Sequence, residues 1–291
     1  MMSAASNVPQ VNKAWSLVPS RTTAVEEANR LPAQLSVPLR VVQTGMLIGL
    51  LWKFAFFRAA DQVYAAIPIH DGFFPLGLQQ AATLRIAFLT AVASIVIAWM
   101  TRERTTRITA TAICGLASTV MLLHQGSYND MTFTTIWWCN VWALWYVWRL
   151  DLDPPDALRR KAAFLSRLML SVVLIGGAMG KWTPEYWSGE VFYEIYFRDR
   201  DFWVFNILRS WLDTESLHWM AMAYSRKVIL IETVAGLGLW LLPARWAALT
   251  GAVIFASIAL LSNFLLFSVL APLIGLSLAG WYRRPASDRQ A

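Results

Sequence analysis

Charge is what this chain has least of. Only 15% of its 291 residues are Asp, Glu, Lys or Arg, against roughly a quarter in a soluble globular protein. That shortage excludes a water-soluble enzyme, and the apolar content excludes a disordered chain. Cysteine is nearly missing. Cys114 and Cys139 both fall inside apolar runs, so neither a disulfide framework nor a cysteine metal cluster is on offer. His70 and His218 are isolated from other donors at metal-ligand spacing, and no metal is expected. There is no internal repeat and no low-complexity stretch. No cleavable leader is read either: residues 1–37 are polar, with Pro9, Pro19, Pro32 and a Glu26-Glu27 pair, and the first apolar run starts only near Val37.

What is present is apolar and aromatic. The chain is 57% hydrophobic, with 16 Trp, 8 Tyr and 15 Phe, an aromatic load of the kind that collects at membrane interfaces. A hydrocarbon core of roughly 30 Å needs about 20 helical residues. On that ruler the spans fall at about 38–57, 83–101, 107–124, 131–149, 162–181 and 227–243. Residues 246–281 form a run of 36, which would reach about 54 Å as one helix. A break at Ser262-Asn263 divides it in two. The expected fold is therefore an all-α integral membrane protein of about eight transmembrane helices. Residues 182–224 mix aromatics with charges every few positions, as interfacial amphipathic helices do. The division is a polar N-terminal tail (1–37), a multi-span membrane domain (38–281) with 182–224 on its outer face, and a short basic C-terminal tail (282–291).

The net charge of +7 raises the question of nucleic acid, but the basic residues sit at the ends of apolar runs, where they set orientation. No nucleic-acid partner is expected. Lys13, Arg21, Arg30 and Arg40, then Arg102, Arg104 and Arg107, then Arg149, Arg159, Arg160 and Lys161 alternate onto one side. Arg245, Arg283, Arg284 and Arg289 join them. Both termini are expected in the cytoplasm, in a multi-pass protein of the bacterial cytoplasmic membrane.

Ionisable groups inside spans are costly and mark functional hypotheses. Lys53, Arg58, Arg85 and Arg167 lie close enough to span ends to snorkel. Glu232, five residues into the sixth span, is either neutral through desolvation or paired with a base such as Lys53 or Arg226. Lys181 closes the fifth span after GGAMG, where Gly176 and Gly180 form a close-packing pair. A desolvated lysine there serves as base or nucleophile; the plain alternative is a helix-end anchor. Gly45 and Gly49 make a second, weakly informative pair. The short outer loop with His124, Ser127, Asn129 and Asp130 reads either as a ligand-facing polar cluster or as a solvated turn.

These segments resemble the vitamin K-dependent gamma-carboxylase family and its broader set of proteins with a horizontally transferred transmembrane domain (HTTM). GGAMGKWTPEYWSGEVF at 176–192 is similar to the segment that carries the family's catalytic lysine, with Lys181, Trp187 and Gly189 in the matching places. LRVVQTG at 39–45, DGFFPL at 71–76, SYND at 127–130 and SNFLLFS at 262–268 follow in order. The resemblance covers about 38–281. It implies a helical bundle with an outward-opening site in which Lys181 is the base or anion partner of a quinone or quinol. Asn129 and Asp130 would orient the head group, and Asn263 and Glu232 would support it. Two family histidines are replaced, by Met131 and Leu260, and the family's large extramembrane peptide-binding domain has no counterpart, so peptide gamma-carboxylation is not implied. Partners expected are a membrane lipid and, if the chain is a non-catalytic scaffold, a membrane protein docked on the aromatic outer face.

Overall fold

The computed structural model describes residues 33–66, 75–124, 131–150, 152–261 and 264–281. Among them the structure is helical, with no strand. Eight long helices carry the fold: α1 (Ala33–Trp52), α2 (Ala81–Met100), α3 (Arg104–Leu123), α4 (Met131–Arg149), α5 (Pro155–Met179), α6 (Thr214–Leu241), α7 (Ala244–Leu261) and α8 (Phe267–Ala279). Five of them, α1, α2, α3, α5 and α7, are long and apolar enough to cross a membrane. A 20-residue helix such as α2 is about 30 Å long, which matches a hydrocarbon core. Ile86, Leu89 and Leu116 point outward in these helices, at 61–71% exposure. Apolar side chains standing free along such helices fit lipid as the surrounding medium, and the chain is a multi-pass membrane protein.

Small residues set the centre of the bundle. α1 and α8 lie against each other along most of their length, in antiparallel directions. A Cβ on Gly45 would stand 2.7 Å from the Ala271 carbonyl oxygen, and one on Gly49 2.6 Å from that of Ser268. From the other side, a Cβ on Gly275 would meet the Val41 oxygen at 2.9 Å. No side chain fits in these gaps, so glycine permits backbone-to-backbone contact. The 13-residue α8 is too short for a lone lipid-facing span. Most of it is buried, which its packing on α1, α4, α5 and α7 explains.

Helices α2, α3 and α4 pack on one side of this pair, and α5, α6 and α7 on the other. α4 is rich in tryptophan; Trp138 and Trp148 stand exposed, while Trp142 turns inward. Trp142 is fully buried and stacks on Tyr146 at 5.0 Å. The polar tips then reach backbone oxygens of neighbouring helices: Trp142 Nε1 donates to Ala162 (3.3 Å) and Tyr146 Oη to Leu35 (2.9 Å). A buried N–H or O–H needs such a partner, and finding it across helices fixes their register.

Three local features depart from the hydropathy reading. α1 stops at Trp52, and Lys53 sits at a break before a short helix, Phe54–Arg58, rather than within a span. Arg85 is tied to neighbouring groups: it bridges Asp61 at 2.5 Å and donates to the backbone oxygens of Phe57 and Arg58. The sixth helix begins at Thr214, capped by the Asp213 carboxylate on the Ser216 N–H, instead of near 227. Its first turns therefore run past the bundle and carry the 182–212 segment.

Candidate functional site

α5 ends at Met179, and the chain passes through Gly180 into Lys181. Thr183 then caps a short helix, Pro184–Trp187, by accepting from the Tyr186 N–H. The Lys181 side chain does not reach outward from this helix end. It folds back along α5, donating to the Gly177 oxygen at 3.2 Å and to Glu232 Oε2 at 2.7 Å. Glu232, on α6, is buried at 8% exposure, and its carboxylate makes an ion pair with a lysine whose side chain is 23% exposed.

The partner of Glu232 is thus Lys181, not Lys53 or Arg226. Arg226 instead donates to the Trp187 oxygen (3.1 Å) and lies over the Trp187 ring. The two members of the pair are 51 residues apart in the chain, so no local spacing announces them.

The glycines beside Lys181 are arranged differently from the expected Gly176/Gly180 packing pair. A Cβ on Gly176 would meet nothing within 4 Å, and one on Gly180 would meet only carbonyls of its own helix. The glycine turned to the partner is Gly177, where a Cβ would stand 3.4 Å from Glu232 Oε2 and 3.5 Å from Lys181 Nζ. One helical step rotates a side chain by about 100°, so the face meeting α6 is offset by one residue. Gly176 and Gly180 remain as an open, exposed strip. Farther along, α5 and α6 are held by Ser171, which donates to the Gly236 oxygen (2.7 Å) and accepts from Trp240 Nε1 (2.9 Å).

The segment after Lys181 packs against α6 beside the ion pair. Trp182 stacks on Trp187 at 5.2 Å and donates to Thr233 Oγ1, one residue from Glu232. Gly189 has φ +87°, and a Cβ there would fall 2.3 Å from Met222 Cα, so only glycine satisfies both the left-handed backbone and the close approach to α6. Ser225 bonds the Tyr186 oxygen. A separate aromatic cluster follows, centred on Phe197, Phe205, Leu217 and Ala221. Within it, burial pushes the Tyr224 phenol up to about 12, aided by Tyr196 and by the Glu232 carboxylate.

Of the other residues singled out from sequence, Asn129, Asp130 and Asn263 lie outside the described residues. The helices that flank those loops do meet: Thr132 Oγ1 and Ser268 Oγ are 2.8 Å apart and buried. His124, at the end of α3, is 1% exposed and bonded through Nδ1 to the Tyr64 hydroxyl. Sequence reasoning missed Gly177 and Thr233, for which no local signal exists. A third feature, a groove of about 610 Å³ between α4 and α5, is lined by Trp138, Trp145, Phe164 and Met169, with Arg160 and Lys161 at its rim. The chain matches no family model, no curated protein and no solved structure.

Proposed function

We propose that this is a multi-pass membrane protein of eight spans, with both termini in the bacterial cytoplasm, that binds a quinone or isoprenoid-like lipid beside Lys181. The observation that carries this reading is the inward-folded lysine. An anchoring lysine extends its ammonium towards water, whereas this one spends two of its three donors on Gly177 and Glu232. An ammonium and a carboxylate at hydrogen-bond distance can pass a proton between them and can hold an anionic oxygen. The open Gly176/Gly180 strip lets a flat or isoprenoid group approach the backbone next to that ammonium. A quinone would supply redox chemistry there; the chain supplies the cation, its carboxylate partner and the Trp182/Trp187 cover.

The orientation and span count rest on the common placement of the first and last helices. The start of α1 and the end of α8 share one end of the bundle, since Val41 faces Gly275. Arg40 and Arg107 lie at that same end, on the side where basic residues are expected. Peptide gamma-carboxylation is not part of the proposal.

The test is mass spectrometry of small molecules that co-purify in mild detergent with the wild type and with Lys181→Ala. A quinone or isoprenoid lipid enriched in the wild type and lost in the variant is the expected result. Identical lipids in both would leave Lys181 as a structural partner of Glu232 and end the reading. A second reading, a scaffold that docks a membrane protein, is favoured by one observation: Trp203, Trp211 and Trp219 on the outer segment are 65–80% exposed. It predicts a stoichiometric partner in the same preparation, and a clean monomer counts against it.

A further inference from the structure

The far end of the bundle from Lys181 holds a second unusual charge arrangement. Arg107, in the first turn of α3, is 2% exposed. One of its nitrogens, Nη2, donates to the Thr101 oxygen, while Nε and Nη1 are buried with no hydrogen-bond partner. Arg40, on α1, lies over the Trp99 ring at 5.5 Å, and its Nε is likewise buried and unpartnered. The two guanidiniums are within electrostatic reach of each other. No carboxylate among the described residues pairs with either. The nearest in sequence, Glu103, accepts from Thr106 Oγ1 at 2.6 Å instead.

Buried cations without counter-charges are costly, and a buried guanidinium with open N–H groups calls for an unseen acceptor. The position adds to this demand, because the N-terminus of α3 also presents the positive end of its dipole and unbonded N–H groups. We propose that Arg40, Arg107 and the start of α3 form a binding site for a phosphate group, carried either by an anionic phospholipid head group or by a free phosphate. The unpaired Nε and Nη1 of Arg107 lie on different edges of the guanidinium, and the Arg40 Nε adds a third donor. A tetrahedral oxyanion answers donors in several directions, where a flat carboxylate offers two coplanar oxygens. Basic pockets between membrane helices at the bundle end bind phospholipid head groups for the same reason.

The test uses the full-length protein in mild detergent with two probes. Native mass spectrometry measures retention of phosphatidylglycerol against phosphatidylcholine, and a thermal-shift series measures inorganic phosphate against chloride at equal ionic strength. Arg107→Gln and Arg40→Gln are each expected to reduce the effect of the true ligand about tenfold or more, as the loss of charge-assisted bonds does. Loss of phosphatidylglycerol retention alone assigns the site to lipid; loss of phosphate stabilisation alone assigns it to a soluble phosphate. Arg40→Gln, at a half-buried position, keeps the test decisive should Arg107→Gln fail to fold. Unchanged behaviour of both variants, or no response to either probe in the wild type, overturns the proposal. So does equal destabilisation by Glu26→Gln/Glu27→Gln, which would mean that the chain's own carboxylates fill the site.

Discussion

The bundle and the 182–212 segment are both helical, but they are held together by different means. Around α1 and α8 the contacts are backbone against backbone, permitted by Gly45, Gly49 and Gly275. In 182–226 the contacts are ring against ring, such as Phe197 on Phe205 and Phe192 on Tyr196. Polar side chains there bond to carbonyl oxygens: Arg209 donates to those of Phe197 and Arg200. In lipid there is no hydrophobic force between helices, so close approach must supply the attraction. Where the chain meets water or head groups, burying aromatic surface supplies it. The Lys181–Glu232 pair sits where α5 and α6 of the bundle meet the aromatic segment.

The comparison can be broken most severely at the glycines. Gly49→Leu drives a side chain into the Ser268 carbonyl, 2.6 Å from the first added atom, and is expected to cost more than about 3 kcal/mol. Loss of a monodisperse peak in size-exclusion chromatography reads this. Gly189→Ala combines a left-handed backbone with a 2.3 Å clash on Met222 and costs at least about 1–2 kcal/mol. Its damage should stay local: protease cuts within 182–212 appear while the bundle keeps its melting temperature. Global unfolding instead would show that the two regions are one cooperative unit.

The boundary itself gives a smaller effect. Lys181→Ala leaves Glu232 buried and unpaired, a loss of up to about 3 kcal/mol, and Lys181→Met/Glu232→Leu should recover most of it because the charge is removed from both sides. A double variant that melts like the wild type but retains no quinone-like lipid separates function from stability. Arg209→Ala should cost about 1–2 kcal/mol, read as faster hydrogen exchange in the 182–212 segment alone.

The smallest effects are those of pH, and they differ in sign between the regions. Burial holds the His124 imidazole below its ordinary value. Its contribution is therefore intact above the unfolded value near 6.5 and lost as pH falls below it. Tyr224 is raised to about 12, so its contribution is intact below the unfolded value near 10 and lost as pH climbs from there towards about 12. Acid is expected to loosen the end of α3 first and alkali the aromatic segment, as followed by site-resolved hydrogen exchange. His124→Gln should remove the acid effect.

The length of apolar runs was enough to mark a helical membrane protein and the middle of each long helix, but not the ends: α1 stops at Trp52 rather than 57, α5 begins at Pro155 rather than 162, and α6 at Thr214 rather than 227. Hydrophobic length is a local property, and membrane thickness converts it directly into a span. Glycine spacing marked Gly45 and Gly49 without revealing that α8 is what they meet. The start of α6 was hidden because residues 214–226 are helical through contact with the aromatic segment, not through hydropathy. Lys181 and Glu232 were each conspicuous as charges in apolar surroundings, yet their pairing required α5 and α6 to be placed side by side. Arg107 looked like an orienting charge, and only its burial beside Arg40 shows two cations with no carboxylate partner among the described residues. Composition and period are written along the chain; which charge faces which is decided by helix packing, where one residue of rotation turns a side chain by about 100°.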